Sequence, residues 1–126
     1  MPQDAQDLKV WQRAIDLTVC VYRLTQGFPK NEMYGLVSQL RRASVSIASN
    51  IAEGRGRLSP AEFRQFLGVA LGSTFELKTQ LVVAKRLELG NSASLNEACE
   101  LGEEVSKMLT SFIQTLRSNA KVRAES

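Results

Sequence analysis

Apolar residues recur in steps of three and four along four separate stretches of this chain, and nowhere do they alternate one-on, one-off as a half-buried strand requires. That spacing restricts the chain to helices. The first stretch, 8–25, carries two apolar stripes: Leu8, Trp11, Ile15, Thr18 and Tyr22 on one, Val10, Ala14, Leu17, Val21 and Leu24 on the other. A helix apolar over so much of its circumference needs partners on more than one side. Gly27-Phe28-Pro29 ends it.

The second stretch, 34–53, places Leu36, Leu40, Ala43, Ile47 and Ile51 at helical spacing, and Gly54-Arg55-Gly56 is expected to close it. The clearest helix start follows. Ser59-Pro60-Ala61-Glu62 supplies a capping serine, a proline at the first helical position and a glutamate three residues after the serine. From there Phe63, Leu67, Ala70, Thr74, Leu77, Leu81 and Ala84 continue toward Gly90, which predicts a helix over 60–89, roughly 45 Å long. Gly90-Asn91 makes a turn. Ser94-x-x-Glu97 reads as a second cap, opening a last helix over 95–120 through Leu95, Ala98, Gly102, Val105, Leu109, Phe112 and Leu116, with frayed chain beyond Ala120. Four amphipathic helices with short connections predict an all-α, antiparallel up-and-down four-helix bundle, a single domain over 1–126.

Several chemistries are removed by composition. The 126 residues include no histidine, which excludes the usual serine and cysteine triads, most zinc sites, and the paired Glu-x-x-His motifs of di-iron bundles. No phosphate-cradling glycine loop occurs. Cys20 and Cys99 make no metal motif and sit within apolar helical patterns, where they read as small buried hydrophobes. Glu97, Glu100, Glu103 and Glu104 step along the last helix and could hold magnesium for nucleotide phosphate hydrolysis. The competing reading is a solvated acidic first turn matched to the helix dipole. The expectation is therefore a protein that is not an enzyme, with no cofactor and no metal. Without a long apolar run or a signal-like amino terminus, the expected location is cytoplasmic, with no membrane association.

Charge is unevenly placed. Arg41, Arg42, Arg55, Arg57 and Arg64 outnumber Glu53 and Glu62 by three, which equals the net charge of the whole chain, +3. These arginines are the candidate nucleic-acid-binding residues, able to contact phosphates. They could instead be solvated or paired locally, Arg41 or Arg42 with Glu53 or Glu76, and apart from Phe63, next to Arg64, no aromatic residue interleaves them in sequence for base stacking. Gly68 and Gly72, four apart inside the longest helix, each cost about 1 kcal/mol relative to alanine. Close approach of another helix backbone would explain them; two merely tolerated glycines are the alternative.

The segment Gln39 to Gly54, with its Ser46, Ile47 and Asn50-Ile-Ala-Glu53-Gly54, punctuates an apolar helix with small polar groups. Together with Asp7-Leu-Lys-Val-Trp11-Gln and Gly72-Ser73-Thr-Phe-Glu76-Leu77, it resembles the four-helix-bundle proteins encoded in intervening sequences of bacterial large-subunit ribosomal RNA genes. The resemblance spans about 7–89. It implies a bundle that assembles with itself as a ring, usually a pentamer, and a link to RNA, without a known reaction. The two stripes of the first helix suit a ring, one facing the core and one a neighbouring subunit, with Trp11, Tyr22 and Phe28 as candidate oligomer contacts. Ser46, Asn50, Glu53 and Glu76 then read as internal or interfacial polar groups that orient the second and third helices, or alternatively as a ligand pocket. Two functions compete: an RNA-associated oligomeric module, and a protein-interaction scaffold with no direct nucleic-acid role. Magnesium-dependent phosphohydrolysis stands third.

Overall fold

The computed structural model describes Ala5 and residues 8–125, so Asp7 of the amino-terminal motif lies outside the described residues. Four long helices run α1 (Lys9–Gln26), α2 (Ser38–Gly56), α3 (Pro60–Arg86) and α4 (Ser92–Glu125), and no strand occurs among the described residues. Contacts join α1 to α2, α2 to α3, α3 to α4 and α4 back to α1, which closes an up-and-down bundle with α1 and α3 on one diagonal. The predicted fold class is the observed one.

The core follows the predicted periodicity. Val10, Ala14, Leu17, Val21 and Leu24 of α1 are buried, as are Leu40, Ala43, Ile47 and Ile51 of α2. Leu67, Ala70, Leu77, Leu81 and Ala84 of α3 meet Ala98, Val105 and Leu109 of α4 in the same core. Phe63 and Phe112 close one end of it edge to face, their ring centres 5.4 Å apart. Trp11 and Ile15, from the other stripe of α1, are only half-buried against the core, and Tyr22 is exposed.

Helix boundaries depart from expectation in four places, each with a local cause. A 3-10 turn (Lys30–Glu32) and a π-helical turn (Met33–Val37) precede α2, because Gly35 adopts φ −108° and ψ −108°, outside helical space. Gly54-Arg55-Gly56 forms the last turn of α2 itself, three residues past the expected end at Glu53, and the helix stops at extended Arg57. Gly54 is instead a crossing point: a Cβ there would stand 2.6 Å from Cβ of Phe66, so α2 and α3 meet backbone to side chain. Ser59 caps α3 as expected, its Oγ accepting from the backbone N–H of Glu62 at 3.3 Å. The cap of α4, however, is Asn91, whose Oδ1 accepts from the N–H of Ser94, and α4 stays helical past Ala120 to Glu125.

Between α3 and α4 the chain turns through Glu88 and Gly90, both at positive φ (55° and 75°). Gly90 is required there. A Cβ would strike Phe28 Cε1 at 2.7 Å and Leu24 Cδ1 at 2.9 Å. Phe28 is therefore buried under this turn, inside its own subunit, and not on a surface where a neighbour could meet it. Among the described residues, nothing beyond their own turns of α3 comes within 4 Å of a Cβ built on Gly68 or Gly72, so the close approach expected at these glycines does not occur inside the bundle.

Candidate functional site

Helix α2 delivers its basic residues to two places. Arg41, near its start, turns toward α1: Nε donates to Thr25 Oγ1 at 2.9 Å, and the guanidinium lies 4.6 Å from the centre of the Tyr22 ring. Arg55 and Arg57, about 21 Å farther along the helix axis, reach the opposite end of the bundle. The five arginines predicted as one patch are thus divided. Arg42 is exposed, and Arg64 lines a separate groove between α3 and α4 together with Arg117.

At the far end, Arg55 and Arg57 converge with Arg123 from the last turn of α4 around a cavity of about 760 Å3. Its apolar floor is Phe63, Phe112 and Leu116. Among the described residues, no carboxylate lines it. Arg55 sits 5.7 Å from the centre of Phe63, and Arg57 sits 5.0 Å from that of Phe66. Arg57 is held loosely between Glu53 and Glu62, 3.9 Å from each, a spacing that leaves its charge available to a ligand. Phe63, the one ring within the arginine segment, is therefore joined in space by Phe66 of α3 and Phe112 of α4.

The small polar groups of α2 separate into two kinds. Ser46 and Ser73 share a hydroxyl hydrogen bond of 2.9 Å between α2 and α3, and Asn50 Nδ2 donates to Ser46 Oγ and to its carbonyl. These three fix the register of the two helices. Glu53 and Glu76 do not join them: both are exposed, the first near Arg57 and the second accepting from Gln80 Nε2 at 3.1 Å.

The glutamates of α4 diverge. Arg13 of α1 clamps Glu104 at 2.6 Å and Asp16 at 2.7 Å, hydrogen bonds that raise its own pKa. Glu103 points the other way, to Lys78 of α3 at 2.7 Å, and that hydrogen bond holds its carboxyl below the usual glutamate range. Among the described residues, no three histidine, cysteine or acidic side chains stand close enough together to hold a metal ion. Both cysteines are free, and burial pushes each thiol above its ordinary value.

No helix among the described residues is long and apolar enough to cross a membrane. Fold and site together define a small all-α bundle with a basic, aromatic-floored end. A family model described as 23S rRNA-intervening sequence protein matches residues 6–111, and the chain belongs to that family. Among solved structures it is similar to a protein of unknown function of the S23 ribosomal protein family from Bacteroides thetaiotaomicron VPI-5482. The two share 26% identity and a TM-score of 0.74 over 82% of this chain and 97% of the other. No curated protein matches the chain.

Proposed function

We propose that this chain is a non-catalytic, cytoplasmic subunit of a homo-oligomeric ring, pentameric as the family resemblance implies, whose arginine-bearing end contacts RNA. The observation that carries the RNA part is the convergence of Arg55, Arg57 and Arg123 on a cavity without carboxylates among the described residues. Three guanidinium groups at one end of each subunit give weak phosphate affinity alone. Side-by-side packing around a ring repeats them on one rim, where avidity multiplies the effect. The family's own description names an intervening sequence of 23S rRNA, which makes ribosomal RNA the first RNA to test.

Support for the ring comes from two unlike surfaces on different sides of the bundle. On α1, Trp11 and Ile15 are half-buried and Tyr22 remains exposed. On α3, at the far diagonal position, Gly68, Gly72, Phe75 and Val83 face outward with no covering helix among the described residues. Unlike surfaces meet head to tail, and head-to-tail contacts close into a ring when the rotation between neighbours divides a full turn.

Nucleic-acid-free protein titrated with a structured ribosomal RNA fragment across a salt series tests the reading. Each phosphate contact steepens the log-log dependence of affinity on salt by about 0.7 to 0.9. A steep slope supports the RNA module. Absence of binding at low salt leaves the protein-interaction scaffold, which the groove between α1 and α4 favours: Arg13 and Arg23 line it beside four carboxylates, and Glu97 and Glu100, outside the Arg13 clamp, would attract a basic partner.

A further inference from the structure

A second cavity, of about 590 Å3, lies where the start of α2 meets the last third of α3, at the end of the bundle away from Arg55, Arg57 and Arg123. Glu32, Gln39, Glu76, Thr79 and Gln80 supply its polar lining, Leu36, Val83 and Leu87 its apolar walls, and no lysine or arginine among the described residues lines it. Two of the five are carboxylates, and Gln39, exposed at the rim, adds an amide that can donate as well as accept. Glu32 Oε1 accepts from the backbone N–H of Leu36, and the Thr79 hydroxyl spends its proton on the carbonyl of Phe75 at 3.0 Å.

Gln80 is the informative residue. Only 7% of it is exposed, and its Nε2 donates to Glu76 Oε1. A carboxylate accepts and cannot donate, so that bond decides which end of the amide is nitrogen and which is oxygen. Oε1 is thereby left as a buried acceptor with no donor among the described residues. A polar atom buried at such cost is retained in native proteins for a reason, and a ligand bringing its own donor is one.

We infer that this cavity binds a guanidinium carried on an aliphatic stem. The planar fork of five N–H donors suits the Glu76 carboxylate and, once the Gln80 side chain turns, its orphaned amide oxygen beside it. The stem lies against Leu36 and the exposed sides of Val83 and Leu87. Two carboxylates with no cationic side chain in the lining supply the charge complementarity. This site shares no residue with the arginine-lined end, so it stands or falls independently of RNA binding.

The test uses the full chain and agmatine, a guanidinium on a four-carbon stem, by titration calorimetry with particle mass followed in parallel. Saturable binding is expected, weakened at least about tenfold by Glu76→Gln and by Gln80→Met, the loss that one charge-assisted hydrogen bond accounts for. Gln80→Met keeps the volume and removes the orphaned oxygen, so it is expected to melt at or above the parent temperature while failing to bind. A lower particle mass on adding agmatine identifies the natural occupant as an arginine of a second copy; binding at constant mass identifies a free small cation. No saturable binding up to about 10 mM, the range of weak small-ligand affinities, overturns the inference, as does unchanged affinity in both variants.

Discussion

Replacing Gly68 and Gly72 together by alanine separates the stability of the subunit from that of the assembly. In a helix interior each glycine costs about 1 kcal/mol relative to alanine, and here a Cβ at either position meets open space within the subunit. The double variant is therefore expected to stabilise the isolated fold by about 2 kcal/mol. For a chain of 126 residues this corresponds to roughly 8 °C in melting temperature, taking about 2.1 cal/mol/K of unfolding entropy per residue. If a neighbouring subunit lies against this face of α3, the two methyl groups occupy space its backbone needs. Particle mass then falls while the diluted subunit gains stability. Thermal denaturation at two protein concentrations, with light scattering at both, reads the two effects separately. Stabilisation with unchanged particle mass would refute the assignment of this face to an interface. Destabilisation at high dilution would refute the open space itself.

Gly54 makes the opposite case, since a Cβ there collides with Phe66 Cβ and with the Phe63 side chain at 3.1 Å. Gly54→Ala is expected to cost about 2 kcal/mol despite alanine's better helix propensity, measurable as a lower urea midpoint. Changing Arg55, Arg57 and Arg123 to alanine together is expected to flatten the salt dependence of RNA affinity by about 2 to 3 in log-log slope, because three phosphates are no longer neutralised. Unchanged slope in that variant would move the RNA contact elsewhere. Glu103, whose carboxyl is held low by Lys78, stabilises the fold above the pKa of an unfolded glutamate and loses that contribution as pH falls through its own lower value. Glu103→Gln is accordingly expected to reduce stability at neutral pH and to flatten the fall in stability on acidification below about pH 4.5. Chemical denaturation at a series of pH values checks the sign.

Fold class was legible because it depends on one-dimensional period. Every residue of the inner stripe of α1 is buried, and the outer stripe is left half-covered, as a helix apolar on two faces requires. The cap at Ser59 was equally local, since serine, proline and glutamate act within one turn. Boundaries failed where two local signals competed. Ser94 and Asn91 could each cap the last helix, and asparagine, standing nearer the positive-φ turn at Gly90, takes the role. Gly54 looked like a helix end because glycine often is one. Its actual constraint is Phe66, twelve residues away on the next helix, which no local rule sees.

The candidate site was half legible for the same reason. Arginine frequency located the basic segment but not its division, because Arg41 and Arg55 share a helix and still lie about 21 Å apart, one against Tyr22 and the other at the bundle end. Arg123 completes that end from a turn of α4 expected to be frayed, and Phe112 and Leu116 floor it from the same helix, all beyond the stretch matched by the family. A usable signal did exist: Phe112, Leu116, Asn119 and Arg123 continue the three-and-four spacing of α4, which predicts that the last turns extend the same face. Extending that face is what converts two arginines on a helix end into a walled basic cavity. Loss of the last turns of α4 would therefore remove the cavity wall while leaving the buried layers around Leu67, Leu77 and Val105 intact.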